Sequence, residues 1–435
     1  MRIAVVGSGI AGLASAWLLH REHEVVLFER DPRLGGHTDT HDVRLHGRDY
    51  RVDTGFIVFN PIHYPLLSRL FEELGVASRP TTMSFSVQCQ RSGLEYNATD
   101  LDSLFCQRRN LLSPRFWGMV RDLTRFYRHA PELLEQSGPG PSLGDYLRRE
   151  RYGAAFRDLH LLPMTCALWS LPAARALEFP ARYLVRFMAN HQMLQVSARP
   201  QWRVVDGGSD RYITAMRSRW SVRERPGCGV TGLRRDAQGV WVRHDWGLER
   251  FDHAVMACHS DQALALLEDA DPRERDILGA IGYQTNEAVL HTDARLLPRR
   301  RKAWAAWNAY VPADPGAGCT VSYCMNLLQG LDAPEPVVVT LNRSADIDPA
   351  KVLARMRYAH PVHDPAAVAA QQRKAQIQGR RRTWFAGAYW GWGFHEDGMR
   401  SAVEVAQGLG AASGARFALA PHLDAGPRTD SQEAA

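Results

Sequence analysis

The chain has 435 residues, 45% of them apolar and 23% charged, which suits two or three folding units with sizeable cores and excludes disorder, collagen and coiled coil for the chain as a whole. Fifty-three basic against 47 acidic residues leave a net charge of +6, too small a surplus at this length to indicate nucleic acid as a partner. Only three basic residues are lysines, Lys302, Lys351 and Lys374, so no phosphate-loop or Schiff-base lysine stands before position 302.

The first residues, Arg2 and then Ile3 to Leu19 with Ala14-Ser15-Ala16, have the outline of a secretory signal, but another reading accounts for more of them. Ile3-Ala4-Val5-Val6 is a short apolar run ending at Gly7, as in a strand buried on both faces. Gly7-Ser8-Gly9-Ile10-Ala11-Gly12 follows at once, and Ile10, Leu13, Ala14, Trp17 and Leu18 then share one helix face. His23 to Phe28 reads as a second strand with Glu29 at its carboxyl end. Together these form a βαβ unit built to hold a dinucleotide. Gly7 permits the tight turn, Gly9 lets backbone approach a pyrophosphate, and Gly12 lets the helix lie close on the strand. The helix start at Ile10 and Ala11 offers free N–H groups and partial positive charge to phosphates, and Glu29 is placed to accept from ribose hydroxyls.

Glu29-Arg30-Asp31-Pro32-Arg33-Leu34-Gly35-Gly36-His37-Thr38 adds basic residues and a second glycine pair. In this segment the chain resembles the flavin-containing amine oxidase and phytoene desaturase superfamily, whose amino-terminal signature is the glycine fingerprint followed by R-x-G-G. The resemblance implies an α/β fold with an FAD-binding Rossmann-like domain of the GR2 type and an inserted α+β substrate domain. It also implies non-covalent FAD, with Arg33, Gly35 and Gly36 near the diphosphate and Arg30 among the cofactor contacts. His37 stands where that superfamily usually has arginine, and is expected to act as a neutral donor on the phosphate side.

Val43, Leu45, Tyr50 and Val52 alternate around Gly47, a hairpin pattern leading into Asp53-Thr54-Gly55. The resemblance implies that Gly55 lets the backbone pass close to the isoalloxazine. From Pro61 to about Gln195 the pattern is mainly helical, with a helix expected over Pro61 to Gly75 and an N-cap at Ser142 ahead of Asp145. After Ser113, Phe116, Val120, Leu123 and Tyr127 form a stripe, with Arg121, Arg125 and Arg128 elsewhere. That leaves room for peripheral contact with a membrane. Strands return at Gly229 to Leu233, Gly239 to Arg243 and Phe251 to Cys258; the resemblance puts the Val230 backbone at the adenine.

The second specific signal is Phe385-Ala386-Gly387-Ala388-Tyr389-Trp390-Gly391-Trp392-Gly393-Phe394-His395-Glu396-Asp397-Gly398-Met399. A helix is expected to start near Gly398 and point its N-terminus at the flavin. The resemblance implies that Gly387, Asp397, Gly398 and Met399 close the FAD site, with Ala388 in place of the usual acid. Tyr389, Trp390, Trp392 and Phe394 are candidates to line a flat apolar pocket. No cysteine lies in this motif, hence the expectation of non-covalent binding. Amine oxidases of the superfamily usually carry a lysine on a substrate-domain strand; its nearest counterpart here, Tyr283 to Asp293, has none.

Seven cysteines without a C-x-x-C pair argue against a disulfide framework or a zinc site. No metal is expected, Cys319 and Cys324 read as small buried residues, and a reducing cytoplasm fits. No run of 18 apolar residues calls for a spanning helix. The expected organisation is an FAD-binding domain from 1–55, 200–268 and 383–415, a substrate-binding domain from 56–199 and 269–382, and a flexible tail over 416–435. The expected activity is FAD-dependent removal of hydride from an apolar, lipid-like substrate, forming a C=C bond. Resemblance to bacterial NAD/FAD-binding proteins with G-G-H-T and H-E-D-G points to fatty acyl chains, and the sequence does not name the electron acceptor or any catalytic residue. The alternatives are amine oxidation and non-redox isomerase or mutase chemistry.

Overall fold

The computed structural model describes residues 1–136, 140–169, 173–195, 199–314, 316 and 318–417. β1 (Arg2–Val6), α1 (Ile10–Leu19) and β2 (Glu24–Phe28) form the expected βαβ unit. The sheet around it has five strands in the order Arg223–Arg225, β2, β1, His253–Met256, Thr383–Phe385, every pair parallel. Central parallel strands are covered on both faces, which is why they read as unbroken apolar runs. Ile3, Val5, Val25 and Leu27 enter one core with α1, while Ala4, Val6, Val26 and Phe28 enter another. All ten residues of α1 are buried. The expected strand from Phe251 to Cys258 is divided: Phe251 ends an antiparallel hairpin strand, and His253 begins the parallel one.

A second, seven-stranded sheet runs Val352–Pro361, Tyr283–His291, Val338–Leu341, Thr320–Cys324, Trp307–Val311, Phe85–Cys89, Leu94–Asn97. Only the Trp307–Val311 and Phe85–Cys89 pair is parallel. Helices Pro114–His129, Leu143–Arg149, Leu162–Trp169 and Ala181–Asn190 share a core with its Val87 and Ala309 and with Trp392.

Local chemistry sets several boundaries. The helix expected from Pro61 is α2 (Pro65–Leu74), because Pro65 takes the first helical position, where a missing N–H costs nothing. It ends at Gly75, with φ +66. The hairpin is present as Thr40–Leu45 with Arg48–Asp53, and Ser142 caps its helix by accepting from Asp145 N at 3.1 Å. In Pro114–His129 the buried positions are Phe116, Met119, Asp122 and Phe126, so the core face lies about one residue ahead of the expected stripe. Arg125 is spent on Asp122 (3.5 Å) and the Tyr152 ring (4.1 Å). Packing continues into the segment expected to be a tail: Ala412–Arg416 is helical and Phe417 is buried, with the Arg69 guanidinium 5.1 Å from its ring. Residues 418–435 lie outside the described residues. Among the described residues no helix is long and apolar enough to cross a membrane; the signal-like stretch is β1 and α1.

Candidate functional site: the cleft at the head of the first helix

The three glycines of the turn do different things. Gly7 has φ +100, and a β-carbon there would meet the Ala257 carbonyl oxygen at 2.9 Å. A β-carbon on Gly12 would run into the Gly7 carbonyl, 3.0 Å from its carbon. Both are needed for chain to pass chain. Gly9 is different: a β-carbon there meets nothing within 4 Å. It is the N-cap of α1, has extended backbone (φ −64, ψ 177), and no side chain caps the helix. The helix therefore presents its uncapped end to open space, flanked by Gly36, whose β-carbon would stand 3.0 Å from Gly9 Cα. This is a cradle suited to an anion such as a diphosphate, and on that ground the cleft fits a dinucleotide.

Glu29 leaves the end of β2, and its Oε2 accepts from Ser8 N (2.9 Å) and Ser8 Oγ (2.7 Å). Val230 starts beside it: Cys228 N donates to Glu29 O at 2.8 Å, and a β-carbon on Gly229 would touch Arg30 Cγ at 3.5 Å. Arg30 itself is exposed. Arg33 folds back on its own loop, donating to Thr38 O (2.6 Å) and Gly36 O (3.0 Å) and pairing with Asp39 at 3.5 Å. It thereby braces the turn at Gly35, which has φ +129. Gly55 has the same kind of role, since a β-carbon there would run into the His37 carbonyl, which accepts from Phe56 N at 2.7 Å. Asp53, ahead of it, accepts from Thr40 Oγ1, Ser209 N and Ser209 Oγ, and burial pushes its carboxyl up to about 6.

The His37 ring lies among residues that no local pattern announces. Its centroid is 5.2 Å from Tyr358, 5.2 Å from His360 and 6.4 Å from His259, and its buried Nε2 has no partner among the described residues. His259 stacks on Tyr283 at 4.4 Å, and His360 Nδ1 meets Asn286 Nδ2 at 2.9 Å. Burial lowers all three imidazoles below their usual range, His360 to about 4, so they stand neutral beside the cleft.

The carboxyl-terminal motif reaches the same place. Its helix is His395–Gly408, starting a turn earlier than expected from Gly398. The reason is Asp397, whose Oδ2 accepts from Trp392 N and Phe394 N at 3.0 Å each, while its Oδ1 accepts from Arg400 at 3.1 Å. That carboxylate is taken up in holding the entry loop. Gly398 sits inside the helix, and a β-carbon there would stand 2.7 Å from Ile10 Cγ2. It brings this helix against the start of α1, with Met399 fully buried alongside. Glu396 accepts from Leu66 N and Leu67 N at 3.0 Å each, capping the first turn of α2, and burial raises its carboxyl to about 7. His395 stacks on Phe56 at 3.8 Å.

The four aromatics of the motif divide into two pairs. Tyr389 and Trp390 turn into the core shared with Val6 and Met256, with the Tyr389 ring over Gly387 and the Trp390 indole donating to Phe385 O at 2.9 Å. Trp392 and Phe394 meet the helical layer: Phe394 stacks on Phe187 at 5.4 Å, and Trp392 lies 6.0 Å from Phe187 and 5.7 Å from His191. Trp392 Nε1 is buried without a partner among the described residues. Phe187 and His191 carried no sequence signal, because they reach the motif from a helix about 200 positions upstream. His291 ends a strand of the second sheet, where it bonds Thr340 (2.8 Å), and Asp293 just beyond it caps the next short helix and binds Arg295.

A sequence profile described as flavin containing amine oxidoreductase matches residues 10–302. Over 271 residues the chain is 28% identical to the Mycobacterium tuberculosis protein named "Putative flavin-containing monoamine oxidase AofH", covering 59% of this chain and 56% of that one. Over 325 residues it is 28% identical to the carotenoid phi-ring synthase of Streptomyces griseus, covering 68% and 59%. The chain thus spans little more than half the length of these curated relatives. The fold is that of the cyclohexylamine oxidase from Brevibacterium oxydans IH-35A, with a TM-score of 0.68 at 16% identity over 94% of this chain and 99% of that one. With an uncapped helix end before open glycine backbone and a family profile over most of its length, the chain belongs to the flavin-containing amine oxidoreductase family.

Proposed function

We propose that the protein desaturates an apolar, lipid-like substrate, with fatty acyl chains as the class: one carbon gives up hydride to the flavin and its neighbour loses a proton to solvent, leaving a C=C bond. The observation that carries this reading is the ring enclosure of Trp392, Phe394, Phe187 and His191, where Phe394 packs against both the cofactor-side core and the helical core. The two acids next to it, Glu396 and Asp397, are occupied by backbone N–H groups, and burial favours their uncharged forms. They offer no free carboxylate to a cationic amine. None of the three lysines serves the cleft: Lys302 pairs with Asp102, Lys374 pairs with Glu404, and Lys351 is exposed.

In this reading 1–55, 200–268 and 383–415 hold the cofactor, and 56–199 with 269–382 hold the substrate. Gly7, Gly9, Gly12, Gly35 and Gly36 admit the diphosphate to backbone, Ile10 and Ala11 offer N–H groups, and Glu29 with Arg30 and Val230 borders the adenosine end. His37 donates as a neutral imidazole. Gly55, Gly387, Asp397, Gly398 and Met399 shape the opposite end. Bound flavin supplies a two-electron hydride acceptor; the chain's own part is to orient an apolar substrate and exclude water. The protein works in the cytoplasm, in peripheral contact with the inner face of the membrane.

A second reading, amine oxidation, is favoured by the match to AofH. Anaerobic titration of the yellow protein separates the two. Bleaching by acyl lipids and not by amines supports desaturation, and bleaching by amines with peroxide release on aeration overturns it. Turnover only after prereduction, with no lasting spectral change, points instead to isomerisation.

A further inference from the structure

On the seven-stranded sheet, a cavity of about 480 Å³ is walled by Arg109, Arg295, Arg299, Arg300 and Arg343 around Tyr310. Five guanidiniums around one hollow repel one another unless an anion sits between them. The one acid at its wall, Glu95, is spent on the backbone N–H groups of Arg299 (3.0 Å) and Arg300 (3.2 Å) and neutralises neither side chain. Arg295 is paired with Asp293 and Arg343 with Asp346; the Arg343 guanidinium also lies 3.5 Å over the Tyr310 ring, and its buried Nη1 has no hydrogen-bond partner among the described residues. The exposed side chains of Arg299 and Arg300 make no ion pair among those residues.

A second observation lies next to it. Arg109 also lines a neighbouring hollow of about 310 Å³ with Leu112, Phe116 and Arg115. Leu112, at its wall, is 89% exposed, with Leu111 (45%) and Trp117 (48%) beside it, and Leu101 (74%) stands one turn ahead of Phe105, whose ring lies 5.3 Å from Trp117; these are four of the ten exposed large apolar side chains among the described residues. The Trp117 indole donates to Leu111 O at 2.9 Å, which holds the ring beside the leucines. Clustered exposed apolar side chains mark an interaction surface, and tryptophan with leucine beside unpaired arginine is the chemistry of an acidic membrane interface.

We propose that this face docks on a bilayer of anionic phospholipid, with a headgroup phosphate held in the arginine hollow and Leu111, Leu112, Leu101 and Trp117 in the interface. Trp117 stands on the Pro114–His129 helix one turn ahead of Arg121, so this proposal deepens the peripheral membrane contact proposed above and does not rest on the substrate. The test is co-sedimentation of the FAD-loaded full chain with vesicles of phosphatidylcholine alone and of phosphatidylcholine mixed with phosphatidylglycerol, beside calorimetry with inorganic pyrophosphate.

Binding to the mixed vesicles only, weakening as salt rises, is expected. The double substitution Arg299→Ala with Arg300→Ala should weaken it about 30-fold, at roughly fivefold per basic residue. Leu111→Ser with Leu112→Ser should weaken it about tenfold or more. All four positions are exposed, so flavin absorbance and melting temperature should stay as in the parent. Absence of vesicle binding, equal binding to phosphatidylcholine alone, or indifference to the leucine pair overturns the proposal. Pyrophosphate binding without vesicle binding also overturns it, by making the hollow a site for a free anion.

Discussion

Gly9 and Gly12 are three residues apart in one turn, yet the structure assigns them opposite sensitivities. At Gly9 the backbone is extended and a β-carbon meets nothing within 4 Å, so Gly9→Ala should change folding stability by no more than about 0.5 kcal/mol. The added methyl would stand where an anion must approach the helix end. Charge-assisted hydrogen bonds to backbone contribute about 1.5–3 kcal/mol each, so losing one should weaken FAD binding about 10- to 150-fold; Gly9→Glu, adding a carboxylate, should abolish it. At Gly12 the β-carbon would overlap the Gly7 carbonyl and press on Ala257 Cβ at 3.2 Å. Overpacking of that kind costs about 1–3 kcal/mol or more, with α1 fully buried and unable to yield. Stability is read by denaturant melts of the apoprotein, and affinity by quenching of FAD fluorescence. If Gly9→Ala lowers stability as much as Gly12→Ala, or leaves FAD affinity unchanged, the open space before Gly9 is not the cofactor's place.

Two other outcomes are expected. Trp392→Phe removes a buried donor that has no partner, so stability and flavin content should hold within about 1 kcal/mol, while substrate-driven flavin reduction slows about tenfold; an unchanged rate would return Trp392 to simple packing. Burial raises the Glu396 carboxyl from 4.5 to about 7, so between those pH values the folded chain keeps a proton that the unfolded chain releases. Its stabilising contribution is full below about pH 4.5 and is lost as pH rises to about 7, worth about 3 kcal/mol in all. Denaturant melts of Glu396→Gln should show a flatter pH dependence than the parent across that window, with the Asp53 slope remaining below about pH 6; identical profiles would refute the assignment.

Legibility in the sequence followed the range of the interactions. β1, α1 and β2 were readable because their signal is periodic and local, and the hairpin around Gly47 for the same reason. The start of the last helix was misjudged by a turn because Asp397 bonds backward to Trp392 and Phe394, a contact that glycine and helix propensity do not report. Gly55 was readable only through the resemblance, as backbone close to the isoalloxazine; the His37 carbonyl that a β-carbon there would meet comes from a separate stretch of chain and leaves no local mark. The imidazoles around His37 were not readable at all: His259 and His360 arrive from separate sheets, and nothing in their neighbourhoods distinguishes them from surface histidines. The same holds for Phe187 and His191 behind Trp392.

The parallel sheet joins Val6 to Met256 and Met256 to Phe385, and this has a consequence for biosynthesis. A ribosome adding about 5–20 residues per second supplies β2 within seconds of β1, but His253–Met256, the neighbour on the other side of β1, comes more than ten seconds later and Thr383–Phe385 later still. During that wait β1 is paired along one edge alone, and the edge that receives His253–Met256 stands open. The incomplete sheet is therefore exposed to aggregation, and slower elongation over the middle of the message should lower the yield of folded protein.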